Sequence, residues 1–271
     1  LAAANPIDIV DTSGVGTAVP AASTGGGTTG NGSPSGVRIT TDASAGTSDI
    51  RWGTPAGCSP SFSGDCDTDA QSRYNFTPDQ PPSSTPQPVA PDTTFKLGTF
   101  THFNFPIFDT DSTPILEEAE LAVDINITIN GSPQAVQAVF DFEHWETPNT
   151  PDPGESCADG GTNGVGVNVN GCADRVLATT NVGKSDTFTI GGVKYIFDLL
   201  GFCASNCGGA NPPTFDEFWT TETLTNEADL FARYTEKSNL VPAPATPLLL
   251  SCGVLALVRL TRRGGFPAFT G

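Results

Sequence analysis

From Glu120 to Ile129 the chain alternates large apolar residues with polar or small ones without a break, and this run commits it to a β-sheet. Leu121, Val123, Ile125, Ile127 and Ile129 fall on one side of an extended backbone and their neighbours on the other, whereas a helical period would scatter them around the axis. Asn130-Gly131 follows, a dipeptide suited to the positive backbone angles of a two-residue hairpin turn. The return strand then places Val136, Ala138, Phe140, Phe142 and His144 inward and Asp141, Glu143 and Trp145 outward. One face of this hairpin must be covered, and the many short strands with polar turns elsewhere make a second sheet the expected cover.

Other segments supply strands for it. Val37-Arg38-Ile39-Thr40 and Asp49-Ile50-Arg51-Trp52 alternate, while a short strand candidate at Ile7-Asp8-Ile9-Val10 belongs to an N-terminal arm. Further strands are expected at 165–169, 175–179 and 187–190, with Gly191-Gly192 turning into 193–199. Residues 214–235 read as strands around a turn in preference to a helix. With 30 Gly and 23 Pro in 271 residues, turns are frequent and long amphipathic helices have no room. The expected fold is all-β, a two-sheet, jelly-roll-like β-sandwich spanning 37–240. Residues 1–36, rich in Gly, Ser and Thr, read as an N-terminal extension, and 241–271 as a hydrophobic C-terminal tail. The Pro-rich bridge at 78–91 is either an exposed connector or a strap across the core.

Charge and cysteine usage bear on compartment. The 30 acidic residues all precede residue 237, whereas Arg259, Arg262 and Arg263 lie in the tail. The first 240 residues therefore carry a net charge of −21, which excludes nucleic acid as a partner. Cys58 and Cys66, Cys157 and Cys172, and Cys203 and Cys207 are near neighbours, and Cys252 stands alone. Three local disulfides in an oxidising compartment are the economical reading; the rival, zinc, would need a second Cys or His pair at ligand spacing. No methionine occurs, and Leu1-Ala2-Ala3-Ala4 resembles the small-residue stretch around a signal-peptidase site.

Val241-Pro242-Ala243-Pro244 leads into an apolar run, 248–258, and then the arginines ending at Arg262 and Arg263. Stiff spacer, apolar segment and basic stop in that order resemble the PEP-CTERM sorting signal of Gram-negative bacteria. The resemblance implies transient contact with the membrane and with an exosortase, and a product at the cell surface or in the extracellular matrix. The run 95–107, Phe-Lys-Leu-Gly-Thr-Phe-Thr-His-Phe-Asn-Phe-Pro-Ile, resembles the signature of THxN-family PEP-CTERM proteins, also described as a choice-of-anchor K domain. Arg51-Trp52-Gly53-Thr54-Pro55, Gln71-Ser72 before Phe76, and Glu146-Thr147-Pro148-Asn149 support it. That family implies an exported, surface-associated β domain and brings no catalytic residues.

Within the signature, Thr101 projects to one side of a strand, and His102 and Asn104 share the other. A structural latch to a neighbouring loop is the expected role, in preference to a ligand or catalytic one, since no poised partner for a general base is legible. Acidic loops offer calcium two candidates, Asp65, Asp67 and Asp69, or the favoured cluster Asp109, Asp111, Glu117 and Glu120; a solvated loop is the alternative in both cases. No cofactor is otherwise expected. Nucleophile elbows, phosphate loops and zinc helix motifs are missing, so the protein is not expected to be an enzyme. The expected function is that of an exported structural protein that self-assembles into homo-oligomers or filaments through its terminal extensions. The alternative is a carbohydrate-binding module for matrix polysaccharide, with an aromatic platform around Trp145 or Trp219.

Overall fold

Glu118–Ile129 and Ser132–Trp145 form the longest antiparallel pair, joined by Asn130 at φ 51° and Gly131 at φ 78°. The five apolar residues of the first strand and the five inward residues of the second, His144 included, are all buried. A computed structural model describes residues 7–11, 38–42, 47–55, 70–79, 87–108, 116–149, 154–209 and 211–239. The strands are β1 (Asp8–Asp11), β2 (Arg38–Asp42), β3 (Thr47–Trp52), β4 (Thr54–Pro55), β5 (Ser72–Pro78), β6 (Phe95–Asn104) and β7 (Ile107–Phe108). They continue as β8 (Glu118–Ile129), β9 (Ser132–Trp145), β10 (Asp174–Thr180), β11 (Phe188–Ile190), β12 (Val193–Cys203), β13 (Glu217–Thr220) and β14 (Leu224–Glu236).

Two antiparallel sheets face each other as a β-sandwich, one in the order β1-β8-β9-β10-β13, the other β11-β12-β14-β6-β5-β3-β2. Aromatic side chains close the gap between them. Phe100 on β6 stacks on Phe142 of β9 at 5.3 Å, and Phe202 on β12 meets Phe218 of β13 at 5.4 Å. Such pairs add about 0.5–1.5 kcal/mol each beyond the area they bury. The strands expected within 214–235 are β13 and β14, joined through Thr223 at φ 62°.

Three expectations need correction or completion. Residues 165–169 are not a strand: Gly166–Asn168 is a single 3-10 turn, and Val165 and Val169 are exposed. Gly164 and Gly166 take positive φ there, inside a loop closed by the Cys157–Cys172 disulfide, so the backbone leaves the extended conformation that strand pairing requires. The strand at the start of the chain is not an appended arm. β1 pairs with β8, and Ile7 and Ile9 join the core because their alternation matches the open edge of that sheet. The end of the Pro-rich bridge is a strap, since Val89 is buried, exchanges two backbone hydrogen bonds with Ile7, and accepts the Tyr234 hydroxyl at 3.0 Å.

Candidate functional site

Period-two alternation on four strands directs four rings to one place. Trp52 from β3, Tyr74 from β5 and His102 from β6 point inward from one sheet, with Tyr74 and His102 directly opposite each other in register. His144 arrives from β9 of the other sheet. Every pair among the four rings is in contact, with centroids 4.7 to 5.5 Å apart. The chain has only two histidines, and both stand in this box.

Hydrogen bonds set the ring states. Tyr74 Oη lies 2.5 Å from His144 Nδ1, and His144 Nε2 lies 3.1 Å from Glu146 Oε2. The tautomer that satisfies both has Tyr74 donating to Nδ1 and Nε2–H donating to Glu146. Burial pulls the His144 pKa down to about 4, against an opposing pull from Asp174, so its imidazole is neutral at neutral pH. His102 is also held well below the usual histidine range, by burial and then by His144. Its Nδ1 meets Thr220 Oγ1 at 2.8 Å, and Asn104 Nδ2 donates to Thr220 O at 3.1 Å. Thr220 Oγ1 in turn donates to Asp174 O at 3.3 Å. His102 and Asn104 therefore converge on β13, a strand of the opposite sheet, and the contact ties the two sheets together.

Carboxyl groups gather beside the rings. Asp174 is buried; its Oδ1 accepts Thr147 N–H at 2.7 Å, and its Oδ2 has no hydrogen-bond partner among the described residues. Thr147 Oγ1 donates to Cys172 O at 2.6 Å, which anchors the disulfide-closed loop at this point. Donor atoms of His144, Glu146 and Asp174 all lie within 4.8 Å of one another. Burial and then the charge of Glu146 raise the Asp174 carboxyl well above its ordinary range. The same two causes push Glu222 up to about 8. Carboxyl groups this close and this dry require a proton or a cation among them.

An open depression of about 450 Å³ lies outside, lined by Glu117, Glu118, Glu143, Trp145 and Arg175 and reaching His144 and Glu146. Its rim is built by register. Trp145, Arg175 and Trp219 stand opposite one another across β9, β10 and β13. Trp145 is 50% exposed, and the Arg175 guanidinium lies 4.9 Å from its ring centroid. One row along, Glu118 faces Glu143. Like charges placed directly opposite destabilise a sheet. The comparable pair Glu120–Asp141 is relieved by Lys184, which bonds Glu120, and by Asn181, which donates to both Asp141 oxygens. Glu118 and Glu143 have no ion-pair partner among the described residues.

The structure distributes the sequence-derived sites as follows. Cys157–Cys172 and Cys203–Cys207 are disulfides, while Cys58, Cys66 and Cys252 lie outside the described residues. Two disulfides fit an oxidising compartment. No described helix is long and apolar enough to cross a membrane. Of the favoured calcium cluster, Glu117 borders the depression and Glu120 is bound to Lys184; Asp109 and Asp111 lie outside the described residues. Asp65, Asp67, Asp69 and the tail, from Val241, Pro242, Ala243 and Pro244 to Arg262 and Arg263, lie outside them as well. Thr101 is buried on the other side of β6 from His102. The quoted motif pieces come together: Gln71 Nε2 donates to Gly53 O at 2.8 Å, Ser72 Oγ to Phe105 O at 2.8 Å, and Trp52, His102 and Glu146 meet at the box.

Sequence reasoning missed Tyr74, Asp174, Thr220 and Glu222, which carry no local signature. The one available signal was Asp174 and Arg175 opening a strand two residues after a cysteine. No protein-family model and no curated protein matches the chain.

Proposed function

We propose that this is an exported module of the bacterial cell surface or extracellular matrix that holds a neutral or amino-sugar polysaccharide on the outer face of β9, β10 and β13. The observation that carries the reading is the in-register row Trp145–Arg175–Trp219 beside the acidic row Glu118–Glu143. Neighbouring strands are about 4.8 Å apart, so the two indoles stand about 10 Å apart on a flat face, a spacing suited to alternate rings of an extended sugar chain. Indole faces stack on the apolar faces of sugars, and carboxylates accept hydrogen bonds from hydroxyl and amino groups. An acidic glycan would be repelled by Glu117, Glu118, Glu143 and Glu146, which supports a neutral or amino-sugar ligand.

Self-assembly through a spare N-terminal strand is less well supported, because β1 is paired within its own sheet and Ile7 and Ile9 are in the core. The test is binding to a panel of neutral, amino-substituted and acidic polysaccharides. Trp145→Ala should weaken binding by about 10-fold or more while leaving thermal stability unchanged, because an exposed side chain contributes little to the fold. Equal binding by wild type and variant, or preference for acidic polymers, would overturn the proposal.

A further inference from the structure

We propose that His144, Glu146 and Asp174 form a binding site for a divalent transition-metal ion of the zinc class, set beneath the surface depression. The inference does not rest on the glycan reading. The three donor atoms lie within 4.8 Å of one another, and the imidazole Nε2 and the Glu146 carboxylate are already 3.1 Å apart. Nitrogen and carboxylate ligands sit about 2.0–2.2 Å from zinc, so in tetrahedral coordination two ligands of one ion stand about 3.3–3.6 Å apart. The widest edge of the triangle therefore closes by no more than about 1.5 Å when the ion binds.

A second observation points to the same ion. Asp174 is fully buried, one of its oxygens is held by the Thr147 amide, and the other has no hydrogen-bond partner among the described residues. A buried carboxylate oxygen without a donor is a costly arrangement in a protein interior, and a cation removes the cost. The surroundings meet the further requirements of a metal centre. Tyr74 Oη holds His144 Nδ1, the outer-shell contact that fixes ring orientation and leaves Nε2 for the metal once the proton sits on Nδ1. His144 and Glu146 also line the depression, so an ion has a path in and solvent can complete its coordination. An imidazole ligand in so small a set selects against calcium and magnesium, which prefer oxygen ligands throughout.

The experiment uses the full chain with its disulfides formed, stripped with a chelator and titrated calorimetrically with zinc chloride, then with calcium chloride. Cobalt(II) absorption reports ligand type, because Cys252 is a possible competitor. The expected result is one equivalent of zinc, a cobalt spectrum without thiolate charge-transfer bands, and no competition by calcium. Asp174→Asn should weaken zinc by about 100-fold, and Tyr74→Phe, which removes only the outer-shell contact, by about 10-fold. Trp145→Ala should bind zinc as wild type does, which separates a failure of this site from a failure of the glycan face. If Asp174→Asn does not fold, anomalous diffraction from zinc-loaded wild-type crystals decides between an ion at His144 Nε2 and an ion elsewhere. A folded wild type that takes up no zinc, a cobalt spectrum dominated by thiolate, an ion located elsewhere, or unchanged affinity in a folded Asp174→Asn would each overturn the proposal.

Discussion

Replacing Thr220 by valine keeps the shape of the side chain and removes one oxygen on which three contacts converge. His102 Nδ1 is 2.8 Å from that oxygen, Asn104 Nδ2 is 3.4 Å away, and the hydroxyl itself donates to Asp174 O at 3.3 Å. Asn104 keeps its bond to Thr220 O, so its loss is small. His102 loses the bond to Nδ1, and its Nε2 has no hydrogen-bond partner among the described residues. A fully buried donor left unpaired costs about 1–3 kcal/mol, and a methyl in place of the hydroxyl recovers part of this. The net expectation is a destabilisation of about 2 kcal/mol, or about 4–8 °C in Tm for a domain of this size. Urea unfolding of the oxidised protein, with unchanged slope, measures it. The decisive control is His102→Phe, which keeps the ring packing and deletes both nitrogens. In that background Thr220→Val should cost less than about 1 kcal/mol, because both ends of the bond are then apolar. A single-variant effect within about 0.5 kcal/mol, or strict additivity of the two substitutions, would refute the account of the latch.

Gly201→Ala should destabilise by about 3 kcal/mol or more, since its φ is +113° and an added Cβ would lie 2.3 Å from the Phe215 carbonyl oxygen, a backbone atom held by its own bridge to Phe202. A loss below about 1 kcal/mol in thermal melts would contradict this. Glu222 makes stability depend on pH. Its folded pKa, about 8, lies above the ordinary 4.5, so the folded state holds the proton more tightly; its contribution is complete below about 4.5 and is lost as pH rises through about 8. In chelator, the urea midpoint should fall across that window by an amount worth at most on the order of 4 kcal/mol, and Glu222→Gln should flatten the decline. An unchanged decline in the variant would remove Glu222 as its cause.

Local pattern was sufficient wherever burial is periodic. The hairpin of β8 and β9 follows from alternation and from Asn130-Gly131, and the inward side chains named from it are all buried. The same reasoning failed at 165–169, because apolar alternation says nothing about the positive φ that Gly164 and Gly166 take there. It also took Ile7 and Ile9 for an arm, since a glycine-rich stretch follows them and the open edge of β8 is invisible in sequence.

The chain alone determined the sheet class, two disulfides between cysteines 15 and 4 positions apart, and the outward direction of Trp145, because these follow from strand alternation and from closeness along the chain. The meeting of Trp52, Tyr74, His102 and His144 with Asp174 and Thr220 belongs to the tertiary structure. Those residues come from strands up to about 170 positions apart in sequence and from both sheets, and only register and sheet order bring them within a few ångströms. The acidity of Asp174 and Glu222 was undetermined for the same reason: a carboxyl group's proton affinity follows from how dry its surroundings are and which charges share them.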